Sequence, residues 1–195
     1  MQMDHNLLKN GGIEAEGADD KHVPGWGSLE GLFGAAYGSV GGEWDWGLSG
    51  CPACGKRYLR LTFTDTVHEL SVSQTVDVAP SAEDIDKNIV TAAISAYLGG
   101  FKEADTTSTL TASFQDASGK ELGKLSTNPY RASELPKAER GDTGLLLCQA
   151  SGTVPSATRK IVFTWRAYAT GDSGSYIGLG DNFTLVLNKP KPSQP

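Results

Sequence analysis

The chain has 195 residues, a length that suits one large domain or two small ones. Its net charge of −6 argues against the basic face that nucleic-acid binding requires. An apolar content of 38% excludes disorder, collagen and coiled coil for most of the chain. No apolar run reaches the length of a membrane span.

Apolar and polar residues alternate with a period of two along most of the chain, which predicts β-strands. In chain order the clearest runs are 58–63, 71–78, 90–96, 110–115, 161–167 and 183–187. Asp116–Lys120 predicts a hairpin turn before a strand at 121–126, and single helical turns are predicted at 81–88 and 133–140. The pattern of eight to ten short strands predicts an all-β fold, an antiparallel β-sandwich.

Four long segments lack a strand pattern: 17–31, 41–56, 99–106 and 127–143. Loops of this length in compact domains are usually functional or disordered. The chain ends in a Pro-rich segment of extended type. We therefore expect residues 1–188 to form a β-sandwich binding module and residues 189–195 to be a linker or tail, with other domains of a longer protein beyond it.

One Gly-rich loop concentrates aromatic and acidic side chains. In an extended chain Trp44 and Trp46 share one side, and Asp45 points away from them. The two indoles are equally compatible with an exposed binding platform and with a lid over one end of the sandwich. Trp165 differs, because it alternates within an apolar strand and is predicted to lie in the core.

Cys51 and Cys54 are separated by two residues, a spacing that suits either a local disulfide or half of a zinc site. A zinc site would need further ligands from Cys148, His22 or His68. We expect the disulfide, which would pin the Trp-bearing loop of an exported protein. Cys148 follows three leucines, which predicts a buried thiol outside this pair.

Four segments carry further motifs: Asn6–Glu14 (NLLKNGGIE), Pro24–Trp26 (PGW), Ser73–Val78 (SQTVDV) and Gly180–Leu185 (GDNFTL). In this order they resemble the galactose-binding-like jelly roll of bacterial carbohydrate-binding modules. The resemblance implies a jelly-roll fold and a core position for Trp26. The first residues, MQMDH, lack the basic start and apolar run of a secretory signal, so the protein either stays in the cytosol or has lost its signal peptide. We expect the second, an extracellular or cell-surface location with the signal peptide absent from this chain. Residues 15–57 match the family only at Pro24–Trp26, so the ligand loops lie outside the resemblance.

The resemblance also implies a structural calcium ion near the two chain ends. Glu14 and Asp181 would supply side-chain oxygens, and Gly12 and Lys56 backbone carbonyls. Such donors suit Ca²⁺, which takes six to eight oxygen ligands. Asn182 stands where many family members have a second aspartate, so the site has one carboxylate fewer. In the alternative interpretation, Glu14 and Asp181 are solvated acids at strand ends.

The sequence therefore predicts a non-catalytic, lectin-like module that binds carbohydrate. Aromatic rings would stack on the apolar faces of sugars, and carboxylates would accept hydrogen bonds from hydroxyl groups. The candidate ligand-binding residues are Trp44 and Trp46 for stacking, Glu43 and Asp45 for hydrogen bonds, and Tyr97 and Tyr130 as further contacts.

A structural or adhesive module of a larger secreted or surface protein, with a protein partner, remains the alternative function. An enzyme is not expected, because the chain has three histidines and lacks a serine in a nucleophile-elbow pattern.

Overall fold

The computed structural model describes residues 3–17, 22–37, 51–52, 54–64, 66–101, 106–131, 143–169 and 177–189. The strands are β1 (His22–Val23), β2 (Gly27–Ser28), β3 (Leu32–Ala36), β4 (Arg57–Thr62), β5 (Glu69–Asp77), β6 (Thr91–Phe101), β7 (Thr106–Gln115), β8 (Glu121–Ser126), β9 (Tyr130–Arg131), β10 (Thr143–Thr153), β11 (Lys160–Ala169) and β12 (Ile177–Asn188). A 3₁₀ turn (Ala79–Ser81) and the short helix α1 (Ala82–Asp86) connect β5 to β6.

The longer strands form two antiparallel sheets. The first has the order β10-β6-β12-β4-β3, and the second has the order β5-β11-β7-β8, with β9 also paired to β7. Strands β1 and β2 form a separate hairpin. Neighbouring strands come largely from distant parts of the chain, so the chain crosses repeatedly between the sheets. This arrangement confirms the predicted antiparallel β-sandwich of jelly-roll type.

The main core lies between the two sheets and is centred on aromatic rings. Trp165, Phe163 and Phe183 are fully buried, and Trp26 is 4% exposed. The rings of Trp26 and Trp165 lie 4.8 and 5.3 Å from the ring of Phe183. Both tryptophans therefore have the predicted core positions. Aromatic side chains of this size contribute much of the apolar area that such a core buries.

The N-terminal segment runs along β12 where that strand extends beyond β4. The Leu7 N–H donates to the Leu185 carbonyl at 2.8 Å, and the Phe183 N–H donates to the Gly11 carbonyl at 2.9 Å. Asn6 Nδ2 donates to the Phe183 carbonyl at 2.8 Å. The two ends of the described chain therefore lie side by side.

The sequence located most of the second sheet correctly. The predicted turn Asp116–Lys120 joins β7 to β8, and the helical turn predicted at 81–88 coincides with α1. The second predicted helical turn, 133–140, lies outside the described residues. Among the residues that are described, no helix has the length and apolar character needed to cross a membrane.

The prediction that Cys148 is buried was wrong, because its side chain is only half-buried. Cys148 lies in β10, which ends one side of the first sheet. A strand at the edge of a sheet is covered on fewer sides than a central strand, so its inward residues keep part of their exposure.

Candidate functional site

The face of the first sheet that points away from the main core carries a second apolar cluster. Tyr58, Ile177 and Leu179 are 2–4% exposed, and the partly buried Tyr37 and Leu145 pack against them. Neighbouring residues of a strand point to opposite faces, which separates this cluster from the main core. We call this surface the outer face; it comprises Tyr37, Tyr58, Tyr97, Leu145, Ile177, Leu179 and Asp181.

A β-bulge in β12 directs Asp181 to the outer face. Asp181 lies opposite Tyr97 of β6, whereas Thr184 lies opposite Ser95, so β12 has one residue more than β6 between these pairs. Asn182 occupies the bulge with φ of 50°, in the left-handed region that asparagine tolerates better than most residues. The position of the carboxylate therefore depends on this local irregularity.

The Asp181 side chain is fully buried. Its Oδ2 accepts a hydrogen bond from the Tyr37 hydroxyl at 2.7 Å, and its Oδ1 accepts one from the Asn182 N–H. Burial raises the pKa of Asp181 to about 6, against the opposing effect of these hydrogen bonds, and the negative charge of Glu14 adds to the rise. Burial, followed by the hydrogen bond to Asp181, raises the pKa of Tyr37. A cation beside Asp181 would stabilise its charged form.

The start of β4 holds the Glu14 carboxylate. Glu14 Oε1 accepts hydrogen bonds from the backbone N–H groups of Lys56 and Arg57, at 2.7 and 2.8 Å. Gly55 passes so close that a Cβ at this position would overlap the Glu14 carboxyl group. The Lys56 carbonyl accepts a hydrogen bond from the Tyr37 N–H at 2.9 Å. These bonds join the N-terminal segment, the end of β3 and the start of β4.

Cys51 and Cys54 form a disulfide beside Asp181. The Cys54 N–H donates to the Cys51 carbonyl at 2.9 Å, which joins the backbones of the two cysteines. Both sulfur atoms and a carboxylate oxygen of Asp181 lie within 4.8 Å of one another. Within the described ranges, this group contains neither a histidine nor the third cysteine, which the sequence had offered as partners of the pair.

Glu14 and Asp181 carry oxygen atoms of the kind that would suit a calcium ion. Carboxylate and carbonyl oxygens are the donors that Ca²⁺ prefers. In the part of the chain that the structure describes, no basic side chain forms an ion pair with either carboxylate. A buried carboxylate without a counter-charge is costly, so a cation would stabilise this arrangement. Gly12 lies beside the Glu14 side chain, and Lys56 lies in contact with its carboxylate.

The structure describes only some of the residues predicted to bind a ligand. Glu43, Trp44, Asp45 and Trp46 lie outside the described residues. Tyr97 lies well within β6 and is half-buried on the outer face.

Tyr130 does not suit the role of a ligand contact. It is 6% exposed and belongs to the main core cluster, because β9 directs its ring into the sandwich. We therefore assign it to packing and omit it from the proposed site.

Sequence reasoning missed the tyrosine pair next to Asp181. The rings of Tyr37 and Tyr58 lie 4.9 Å apart. Tyr58 alternates with Leu59 and Leu61, so its position opposite the core face could have been inferred. Tyr37 follows β3, which has no alternating pattern, and the sequence contains no comparable signal for it.

The sheets, their order and the position of the N-terminal segment define an antiparallel β-sandwich of jelly-roll type. No protein-family model matches the chain, and no curated protein matches it in sequence. Solved structures do match its fold. The carbohydrate-binding module TmCBM61, solved in complex with β-1,4-galactotriose, has a TM-score of 0.54 and 16% identity, covering 96% of this chain and 100% of that chain.

Two enzymes have the same fold. The Stig cyclase Fisc from Fischerella sp. TAU, solved in complex with an indole compound, has a TM-score of 0.62 and 11% identity, covering 97% of this chain and 100% of that chain. The enzymatically active domain of Bacteriophage CBA120 tailspike protein 4 has a TM-score of 0.52 and 13% identity, covering 94% of this chain but 21% of that chain. At these identities, the comparisons establish the fold alone.

Proposed function

We propose that this protein is a non-catalytic carbohydrate-binding module. The observation that carries the proposal is the half-buried Tyr97 on the outer face, opposite the exposed Leu147 of β10 and beside the hydroxyl-bearing Ser95 of its own strand. Sugar rings have apolar C–H faces that pack on aromatic rings, and hydroxyl groups that need polar partners. The outer face offers both kinds of contact. The fold shared with TmCBM61 supports the same class of ligand.

Polar side chains flank Tyr97 on the same face of the sheet. Ser95 precedes it by two residues, and the Ser95 and Thr184 hydroxyl oxygens are 2.7 Å apart. Further along the face, the Arg60 guanidinium lies over the Phe33 ring at 4.7 Å. In our proposal, Tyr97 stacks on a sugar ring, and these groups form hydrogen bonds with its hydroxyls.

The loop between β3 and the disulfide supplies the remaining proposed contacts. Trp44 and Trp46 would provide further stacking surfaces, and Glu43 and Asp45 would accept hydrogen bonds from sugar hydroxyls. The loop follows Tyr37 directly in the sequence, and Tyr37 belongs to the outer face. This adjacency supports a joint role for the loop and the sheet surface.

We further propose that Ca²⁺ binds Glu14 and Asp181 together with the backbone carbonyls of Gly12 and Lys56. The ion would neutralise the two carboxylates and attach the N-terminal segment to β12. Its role is to stabilise the sandwich, and no contact between the ion and the sugar is proposed. The buried Asp181 carboxylate, which lacks a described basic partner, supports this assignment.

An extracellular or cell-surface location fits this function. The disulfide between Cys51 and Cys54 supports it, because such bonds persist mainly in oxidising environments. The Pro-rich residues 189–195 remain the predicted link to other domains of a longer protein.

A glycan array followed by calorimetry with the best ligand tests the proposal. Tyr97→Ala is expected to weaken binding about tenfold or more, as loss of a central aromatic contact does. Tyr168→Ala is the matched control, because Tyr168 lies on the outward side of the other sheet. Trp44→Ala and Trp46→Ala measure the contribution of the loop.

The proposal fails if no plant, bacterial or animal glycan binds. The proposed role of the outer face is contradicted if Tyr97→Ala binds the glycan as tightly as the wild type does while Trp44→Ala and Trp46→Ala lose binding. In that case the loop alone forms the site.

A second candidate function follows from Asp181. A carboxyl group whose burial raises its pKa to about 6, next to the Tyr37 hydroxyl, suits a general acid acting on an apolar small molecule that reaches it. The Fischerella cyclase has this fold and was solved with an indole compound. This candidate predicts an empty glycan array together with hits in a thermal-shift screen of small aromatic compounds, lost in Asp181→Asn.

A further inference from the structure

We propose that the reduced thiolates of Cys51 and Cys54, together with the Asp181 carboxylate, form a binding site for Zn²⁺ that disulfide formation closes. The inference goes beyond carbohydrate binding, because it assigns a redox-controlled metal site to one end of the outer face. It shares Asp181 with the calcium proposal, but its other ligands are different.

The three ligand atoms are already close together. Both sulfur atoms and one Asp181 oxygen lie within 4.8 Å of one another. In tetrahedral zinc sites, Zn–S bonds of about 2.3 Å and Zn–O bonds of about 2.0–2.2 Å place ligand atoms roughly 3.5–4 Å apart. After reduction the two sulfur atoms would move apart from bonding distance to about 3.8 Å, a spacing that side-chain rotation can supply, to surround one ion with the Asp181 oxygen.

The backbone holds the two cysteines ready for a shared ligand. Their Cα atoms are 5.0 Å apart, and the Cys54 N–H donates to the Cys51 carbonyl. In our proposal this backbone hydrogen bond persists after reduction and keeps the two side chains together. Both residues are half-buried, which leaves the disulfide accessible to a small reductant.

The third ligand is oriented by neighbouring hydrogen bonds. The Tyr37 hydroxyl and the Asn182 N–H donate to the two oxygens of Asp181. Outer hydrogen bonds of this kind fix the orientation of metal-binding side chains and strengthen binding. Two sulfurs and one oxygen leave the fourth tetrahedral position for a water molecule.

The chemistry requires a dithiol reductant. One of its thiolates attacks a sulfur of the disulfide to form a mixed disulfide, and its second thiol displaces the protein thiol. The reductant becomes a cyclic disulfide, and Cys51 and Cys54 each gain one hydrogen. Zn²⁺ then displaces the two thiol protons and binds two thiolates and the Asp181 carboxylate.

The oxidation state of the pair would select the metal. The oxidised protein presents only oxygen donors around Asp181, which suit Ca²⁺. The reduced protein adds two thiolates, which are soft ligands that Zn²⁺ prefers. Glu14→Gln removes a calcium ligand without touching the zinc site, so the two proposals can fail separately.

Titration with Co²⁺, a coloured substitute for Zn²⁺, tests the inference. The protein is reduced with dithiothreitol, separated from it under argon, and titrated while thiolate-to-cobalt charge-transfer absorption is recorded. We expect one equivalent of Co²⁺ to bind to the reduced wild type and to Cys148→Ser, and Zn²⁺ to displace it. The oxidised wild type and Cys54→Ser should show no such band.

Asp181→Asn should weaken Co²⁺ binding by more than about tenfold. Removal of a residue that only forms a hydrogen bond to a metal ligand already lowers metal affinity about 10–100-fold, and Asp181 is a proposed ligand itself. Circular dichroism verifies that each variant is folded, and Cys54→Ser provides the decisive comparison if Asp181→Asn is not. Absence of the band in the reduced wild type, or its persistence in Cys54→Ser or a folded Asp181→Asn, overturns the inference.

Discussion

The side-chain amide of Gln74 forms two hydrogen bonds with the backbone of Lys9. Gln74 Nε2 donates to the Lys9 carbonyl at 2.8 Å, and the Lys9 N–H donates to Gln74 Oε1 at 2.9 Å. Gln74 lies in β5, at the edge of the second sheet, and is 8% exposed. Its amide pairs with the N-terminal segment as a neighbouring strand would. Because that segment also pairs with β12, it connects the two sheets.

Replacing Gln74 with leucine should destabilise the protein. The Lys9 N–H and carbonyl would lose their partners at a largely buried site, at a cost of about 1–3 kcal/mol. Urea unfolding followed by tryptophan fluorescence measures the change. Gln149→Leu, at an exposed position of β10, is the control and should change the unfolding free energy little. Equal effects of the two substitutions would contradict the bridging role of Gln74.

The ion pair between Asp86 and Arg159 should make the stability of the folded protein depend on pH. Asp86 accepts two bonds from the Arg159 guanidinium, at 3.0 and 2.7 Å, and one from the Ala157 N–H. The Arg159 bonds, and then the Ala157 bond, lower the pKa of Asp86. Because the pKa of Asp86 is lower in the folded state than in the unfolded state, the ion pair stabilises the folded state at pH values above the pKa of the unfolded state. This contribution is lost as the pH falls through the pKa of the folded state.

Asp86→Asn should therefore flatten the dependence of the melting temperature on pH between about pH 5 and pH 3. Asp4→Asn, which removes a carboxylate from an exposed residue, is the control. Parallel curves for wild type and Asp86→Asn would show that this ion pair does not contribute.

Calcium should raise the melting temperature of the wild type, and EDTA should reverse the effect. Glu14→Gln and Asp181→Asn should each weaken or abolish this response, since each removes a proposed ligand. Differential scanning calorimetry at matched ionic strength measures it, with Mg²⁺ as the control ion. An equal response of wild type and both variants would contradict the site.

In EDTA, Asp181 should make the metal-free wild type less stable as the pH rises. Its folded pKa, about 6, lies above the ordinary value, so the folded state binds the proton more tightly than the unfolded state does. Stability should fall by about 2–3 kcal/mol between about pH 4 and pH 7. Asp181→Asn should lack this decline, and an unchanged pH profile in that variant would refute the assignment.

Gly55→Ala should impair calcium binding through Glu14. A Cβ at Gly55 would overlap the Glu14 carboxyl group, so that side chain must move. We expect calcium affinity to fall by about tenfold or more, as for disturbed metal ligands. Gly123→Ala is the matched control, because its Cβ would meet a neighbouring side chain at an ordinary 3.4 Å. Isothermal titration calorimetry distinguishes the two, and equal affinities would contradict the prediction.

Local patterns predicted seven of the twelve described strands, and β3 and β10 are the two longest that they missed. The alternation around Trp165 predicted β11 and its buried face, because side chains of a half-buried strand alternate in polarity. Strand β10 has three consecutive leucines after Thr143-Gly144, and β3 reads LFGAA, so apolar residues follow one another in both strands without alternation. A period-two signal disappears where apolar residues occupy both faces.

The sequence by itself determined the strands with alternating polarity and the core position of Trp165, and its resemblance to carbohydrate-binding modules implied a core position for Trp26 and Glu14 and Asp181 as candidate partners. Only the tertiary structure decided that Tyr37 and the disulfide lie beside Asp181. Their proximity depends on the pairing of β12 with β4 and on the bulge at Asn182. The physical reason is that alternation is set by neighbouring residues, whereas strand order and bulges depend on contacts between distant parts of the chain.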